Sequence, residues 1–185
     1  GQLVVMNILK LDCICQNIAK ASIVYISDIL HVKGTKVVCV GTHNGHLFLI
    51  SMNGTIIYKL KHKGSINKVF QIDFKTILVV STTQICTYSL LSQSAELIRE
   101  FNYSHDNLSN PVCTAFFWDH NCYFIVSELK YKLRLYEVIS GCSVEFFDSV
   151  DDQIVNVTIT AWGHVYLFML QSHKEFTWTG VVPQR

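Results

Sequence analysis

Lys36-Val-Val-Cys-Val-Gly-Thr42, His43-Asn44-Gly45, His46-Leu-Phe-Leu-Ile50, Met52-Asn53-Gly54 and Thr55-Ile-Ile-Tyr-Lys-Leu60 follow one another with only Ser51 intervening. Three short runs rich in β-branched and aromatic residues are thus separated by two Asn-Gly turns. Asn-Gly between such runs is the strongest short-range hairpin signal, because a two-residue primed turn needs positive φ at both positions. With the alternating stretch Ala21 to Ile29 in front, the segment reads as a four-stranded antiparallel meander.

The same order recurs along the chain. Ser65–Ile72, Thr76–Thr83, Gln84–Leu90 and Glu96–Phe101 form a second unit, and Val112–Trp118, Cys122–Val126, Lys132–Val138 and Ser143–Phe147 a third. Opening strands begin near Ser22, Ser65, Pro111 and Gln153, a spacing of about 42 to 46 residues, beside the period of a propeller blade. The expected fold is therefore all-β, a β-propeller built of four-stranded antiparallel blades. Blades fall at 21–64, 65–110 and 111–152, with partial blades at 1–20 and 153–185, in one propeller segment. Leu3–Asn7 and Asp12–Ala19 supply two strands ahead of the first full blade; Gln153–Thr160, His164–Leu170 and Glu175–Thr179 supply three after the last. Such a count, about four blades, starts and stops in mid-blade. It implies a larger propeller, completed by another segment or chain, since open blade faces and edges invite pairing. Early strands are apolar and later ones mix in Lys, Arg and Glu, as expected if the first strands line a buried centre.

At the level of strand order and period the chain resembles the WD40-like β-propeller family. That family closes a blade with Trp-Asp at the end of its third strand and places Gly-His shortly before the next opening strand. Leu135-Tyr136-Glu137 occupies the first place; His62 and His105 occupy the histidine place ahead of Ile66 and Val112, with Lys61 and Ser104 where the glycines would be. Trp118-Asp119 spells the dipeptide but ends a first strand. The resemblance implies structural roles for His62, His105 and Tyr136, each histidine buried and bonding a hydroxyl or carboxylate.

Composition fits one globular chain. Of 185 residues, 50% are hydrophobic and 16% charged, enough to bury a core and too apolar for disorder. No run approaches the roughly 18 to 20 apolar residues of a membrane span. The seven cysteines are odd in number and lack paired C-x-x-C spacing, and six lie inside strand-like runs. They read as small buried hydrophobes in an intracellular protein, cytoplasmic or nuclear. Four N-x-S/T sequences, at Asn53, Asn102, Asn107 and Asn156, point the other way. Net charge is +1, yet residues 1–93 hold nine lysines and three acids (+6), and residues 94–185 six Lys and Arg against eleven acids (−5). Opposite charge on the two halves suits steering toward a complementary protein surface. Lys59, Lys61, Lys63 and Lys68 form the basic cluster and Asp148, Asp151 and Asp152 the acidic one.

Catalytic constellations are weak. His43 and His46 sit on a hairpin turn from which side chains diverge, without a third ligand. His120 beside Cys122 and Cys113 suggests a Cys-His pair, but apolar strand surroundings raise a thiol pKa. Asp151 and Asp152 are adjacent and point apart. No catalytic residue, cofactor site or metal site is expected. The reading is a non-catalytic protein-interaction scaffold working through its loop rims in a multi-subunit complex. A regulatory propeller attached to an enzyme module is the alternative, and a nucleic-acid-binding propeller using the lysine cluster comes third. Tyr58, Phe101 and Phe146 recur in fourth strands as packing residues rather than as a platform for bases.

Overall fold

The computed structural model describes residues 2–7, 12–17, 21–91, 94–101, 103, 111–128, 131–148, 152–160 and 163–177. Among them every regular element is a strand, and none forms a helix long and apolar enough to cross a membrane. The chain divides into two compact units, Gly1–Asn102 and Tyr103–Arg185. The first holds the hairpin β1 (Gln2–Asn7) and β2 (Asp12–Asn17). It also holds the sheet β3 (Ile23–Val32), β4 (Thr35–Thr42), β5 (His46–Ser51), β6 (Ile56–Lys61) and the sheet β7 (Ile66–Gln71), β8 (Thr76–Ser81), β9 (Ile85–Leu90), β10 (Ala95–Phe101). The second holds the sheet β11 (Cys113–Trp118), β12 (Asn121–Glu128), β13 (Lys132–Glu137), β14 (Ser143–Asp148) and the three-stranded sheet β15 (Ile154–Ile159), β16 (His164–Met169), β17 (His173–Thr177). Each sheet is an antiparallel meander in chain order. Antiparallel meanders of three to four strands are what the expected all-β propeller requires.

The turns depart from expectation. Asn44 and Asn53 keep negative φ, and only Gly45 (φ 82°) and Gly54 (φ 88°) are left-handed. In each turn the glycine N–H reaches back three residues, to the carbonyl of Thr42 (3.0 Å) and of Ser51 (2.9 Å). Three residues, not two, separate β4 from β5, and that length selects a type I turn followed by a left-handed residue. The primed turns lie elsewhere. Lys33-Gly34 (φ 49° and 77°) joins β3 to β4, and Asp119-His120 (φ 45° and 64°) joins β11 to β12.

Burial follows a different gradient from the one read in the sequence. The middle strands are the buried ones: β5 and β8 are buried on both faces after their first residue, and β12 throughout its interior. The opening strand β3 leaves Val24, Ile26 and Ile29 about half exposed, and the fourth strands β6 and β10 alternate or face solvent. Opening strands are edges of their sheets, so a strand needs neighbours on both sides as well as on both faces to vanish from solvent.

In the first unit, Val37, Cys39, Leu47 and Leu49 of one sheet pack on Val69, Ile77, Val79, Cys86 and Tyr88 of the next. Alternate residues Val40, Phe48 and Ile50 form a separate cluster on the opposite face. Gly41 marks where the two sheets come closest. A Cβ there would lie 2.5 Å from Cβ and Cγ2 of Ile66. In the second unit Phe116, Tyr123, Ile125, Leu133 and Leu135 pack on Ile154, Val157, Val165, Leu167 and Met169.

Candidate functional site

Strand alternation carries side chains to the faces, so backbone and turn residues compose the rims, where a partner would meet the blades. One rim of the first unit gathers the β4–β5 turn, the β6–β7 connection and the β8–β9 turn. They are tied together: the His62 N–H donates to the Gly45 carbonyl (2.8 Å), the Thr82 N–H to the Ser65 carbonyl (2.9 Å), and the Lys63 N–H to Oε1 of Gln84 (3.2 Å). Lys61 Nζ donates to the Asn44 carbonyl. This rim is rigid because its backbone groups bond one another across segments.

Three hydroxyls at or next to the ends of second strands, two in the first unit and one in the second, make bonds of this kind, and sequence reading passes over them. Thr42, Ser81 and Ser127 are 0%, 0% and 4% exposed. Thr42 Oγ1 donates to Oδ1 of Asn44 (2.7 Å) and accepts the His46 N–H (2.9 Å). Ser81 Oγ donates to the Lys63 carbonyl (2.6 Å) and accepts the Gln84 N–H (3.0 Å). Ser127 Oγ accepts the Val112 N–H (2.9 Å). A signal is present in the sequence: an apolar run ending in a hydroxyl closes the second strand of each full blade, as Cys-Val-Gly-Thr42, Leu-Val-Val-Ser81 and Phe-Ile-Val-Ser127.

His62 is 2% exposed, and neither ring nitrogen has a hydrogen-bond partner. The hydroxyl or carboxylate bond implied by the resemblance is not made. Ser81, which ties the same connection, is committed to the Lys63 carbonyl. Instead the imidazole meets the Tyr88 ring edge-on, with centroids 5.3 Å apart. Burial pushes its pKa down to about 4, partly opposed by the Glu100 carboxylate, so the ring is neutral at pH 7. His105 lies outside the described residues. Tyr136 is 2% exposed, stacked on Phe124 at 4.8 Å, and donates its hydroxyl to Oε1 of Glu128 (3.2 Å). Glu128 Oε2 in turn pairs with Arg134 Nε at 2.8 Å.

The four lysines stand on three different parts of the first unit. Lys59 pairs with Phe48 and Lys61 with His46 across β5 and β6, on the face turned away from the second sheet. Lys63 is exposed on the rim. Lys68 pairs with Val80, two residues from Leu78 on the face of its own sheet that points away from the first. The crossing from one sheet to the next separates Lys68 from Lys59 and Lys61. Lys59 lies over the Phe48 ring (5.7 Å) and Lys68 over Phe70 (5.4 Å). Phe48 is only 4% exposed and presents no surface for a base.

Of the three acidic residues only Asp152 is described in full. Asp152 accepts the Gln171 N–H on both oxygens (3.1 and 3.3 Å) and the Ser172 hydroxyl on Oδ2 (2.7 Å), which fixes the β16–β17 turn. Its carboxylate is spent locally. Asp148 ends β14, its side chain outside the described residues, as is the whole of Asp151.

The remaining candidates stay apart. His46 Nδ1 lies 3.0 Å from Oδ1 of Asn44, while His43 is exposed on the turn. His120 is exposed on its left-handed turn, and Cys122 is 3% exposed with a thiol pushed by burial up to about 12. Cys39 and Cys86 are likewise raised to about 12 by burial, so these thiols are protonated packing groups. Among the described residues no three His, Cys, Asp or Glu side chains converge as metal ligands.

No family model matches the sequence, and no curated protein matches it either. Solved structures do. The crystal structure of the computationally designed Ika4 protein is similar with a TM-score of 0.63 at 8% identity, over 86% of this chain and 92% of that one. The Cps50 (Swd1) β-propeller domain of Myceliophteria thermophila is similar with a TM-score of 0.63 at 16% identity, over 83% of this chain and 51% of that one. The chain thus spans about half the length of that domain. At such identities the likeness shows the fold alone, and the fold is a β-propeller.

Proposed function

We propose that this chain is a non-catalytic, WD40-like interaction scaffold that binds protein partners through the loop rims of its blades in a multi-subunit complex. The observation that carries the reading is the rim of the first unit, where backbone bonds and buried hydroxyls hold three connections in fixed register, with Lys61 bonded to the Asn44 carbonyl and Lys63 exposed. A preorganised rim loses little conformational freedom on binding. Lys59, Lys61 and Lys63 form the basic contact in this reading, with Lys68 contributing from a different face; Asp148 and Asp151 form the acidic contact, and Asp152 acts by shaping its turn. Protonated thiols and a neutral, enclosed His62 support a packing role for the groups most able to do chemistry.

Affinity capture from native lysate tests this, comparing wild type with Lys59→Glu/Lys61→Glu/Lys63→Glu. Loss of a reproducible partner is expected, together with a small drop in melting temperature from the lost Lys61–Asn44 bond that Lys61→Ala alone reproduces without losing the partner. Partners that survive this and every other rim substitution would overturn it.

A further inference from the structure

The opposite rim of the first unit holds a cleft. Three bonds assemble it: the Lys33 N–H donates to the Phe74 carbonyl (2.9 Å), the Leu90 N–H to the Lys75 carbonyl (2.7 Å), and the Tyr58 hydroxyl to the Leu91 carbonyl. The cleft measures about 170 Å³ and is lined by Val32, Lys33, Thr35, Val37, Ile57 and Tyr58. Its inner wall is the sheet core, with Val37 0% and Val32 3% exposed, whereas Phe74 (62%) and Leu91 (43%) stand exposed on the segments bonded beside it. A slot of mixed polar and apolar lining, backed by buried Val32 and Val37 and set beside exposed large apolar side chains, is a surface that a protein anchor residue can fill.

The charge around it is mostly of one sign. Neither Lys33 nor Lys75 pairs with a carboxylate among the described residues. Lys75 Nζ lies 5.7 Å above the Phe74 ring, which holds that cation at the rim. Asp73, on the same segment, is turned onto its own loop, Oδ1 accepting the Lys75 N–H at 2.7 Å. The slot has room for one bulky side chain; Lys33 lines it, and Lys75 stands on the segment bonded beside it.

We infer that this cleft binds a short acidic peptide segment, one Leu- or Phe-sized side chain entering between Ile57 and Tyr58 and flanking carboxylates meeting Lys33 and Lys75. The inference rests on the scaffold reading and names the partner chemistry for one of its surfaces. A peptide fits better than a nucleic acid: the slot is side-chain-sized, backed by the buried Val32 and Val37, and without arginine.

The test is fluorescence anisotropy with a labelled acidic peptide carrying one central Phe, and with the same peptide carrying Ser there. The Phe peptide is expected to bind about tenfold more tightly than the Ser peptide, and to weaken as salt rises from about 50 to about 300 mM. Lys33→Glu/Lys75→Glu should cost about tenfold or more, and Ile57→Glu, which places a carboxylate in the slot from a partly exposed position, should abolish binding. Both variants are checked by thermal melting. Equal affinity for the two peptides, indifference to both variants, or a single-stranded oligonucleotide that displaces the peptide would each overturn the assignment. If the peptide fails while a partner is still lost on substituting Lys59, Lys61 and Lys63, the cleft assignment falls and the scaffold reading stands. If both fail, both fall.

Discussion

The two compact units solve one packing problem with different chemistry. In Gly1–Asn102, paired sheets meet where the Gly41 backbone lies against the Ile66 side chain, and the Ser81 hydroxyl and the Gly45 carbonyl lock the connections through bonds to backbone groups. In Tyr103–Arg185, side chains supply the equivalent locking, since Phe124 stacks on Tyr136, whose hydroxyl joins Glu128 and Arg134. What the full blades share is burial of strands two and three. A blade therefore tolerates wide variation in its polar details as long as those strands stay apolar and each second strand ends in a hydroxyl.

The largest expected effect falls on the first unit. Gly41→Val drives a branched side chain into Ile66 across two buried sheets, so a loss of about 4 kcal/mol or more is expected. All three tryptophans, Trp118, Trp162 and Trp178, lie in the second unit, so their fluorescence is a poor reporter of the first. Hydrogen exchange should show β4 and β7 opening in this variant; retained wild-type protection there would show that the close approach is not a constraint.

Next is His62. Its folded pKa of about 4 lies below the ordinary 6.5, so the unfolded chain binds the extra proton first. Stability is full above pH 6.5 and falls as pH drops from about 6.5 to 4, by an amount on the order of 3 kcal/mol. His62→Leu, which removes both unpartnered nitrogens, should flatten that limb in urea titrations across pH. An unchanged acid limb would assign the loss to other groups.

Smaller effects probe the second unit. Glu128→Gln removes the charge that holds both Arg134 and Tyr136, and with the glutamate side chain 13% exposed a loss of about 1 to 2 kcal/mol is expected in chemical denaturation. Lys132→Ala breaks a 3.6 Å pair with Glu145 whose partners are 39% and 51% exposed; it should cost less than about 0.5 kcal/mol. If these two losses were equal, the buried network would be no more than a surface ion pair.

The strands are legible in the sequence because runs such as Ile77-Leu-Val-Val80 and Cys122-Tyr-Phe-Ile-Val126 are long enough for a buried strand and too short for a helix, and turn residues bound them. The fold class follows from their repeat. Turn type is misread from the Asn-Gly dipeptide, although the three residues between Thr42 and His46 already select the other geometry. Closeness in sequence does not by itself place lysines on one face: β6 and β7 belong to different sheets, and alternation turns Lys59 and Lys68 to different faces. The cleft beside Lys33 is invisible in sequence. Its segments, near residues 33, 57, 74 and 91, come together only through three cross-segment bonds.

Rigid, doubly buried middle strands carry the rims in both units, and native-state hydrogen exchange of the purified protein tests this most directly. Amides of β4, β5, β8, β9 and β12 are expected to exchange slowest and by near-global opening, with β6, β10 and the turns faster. Protection in β6 and β10 equal to that in β5 and β8 would contradict it.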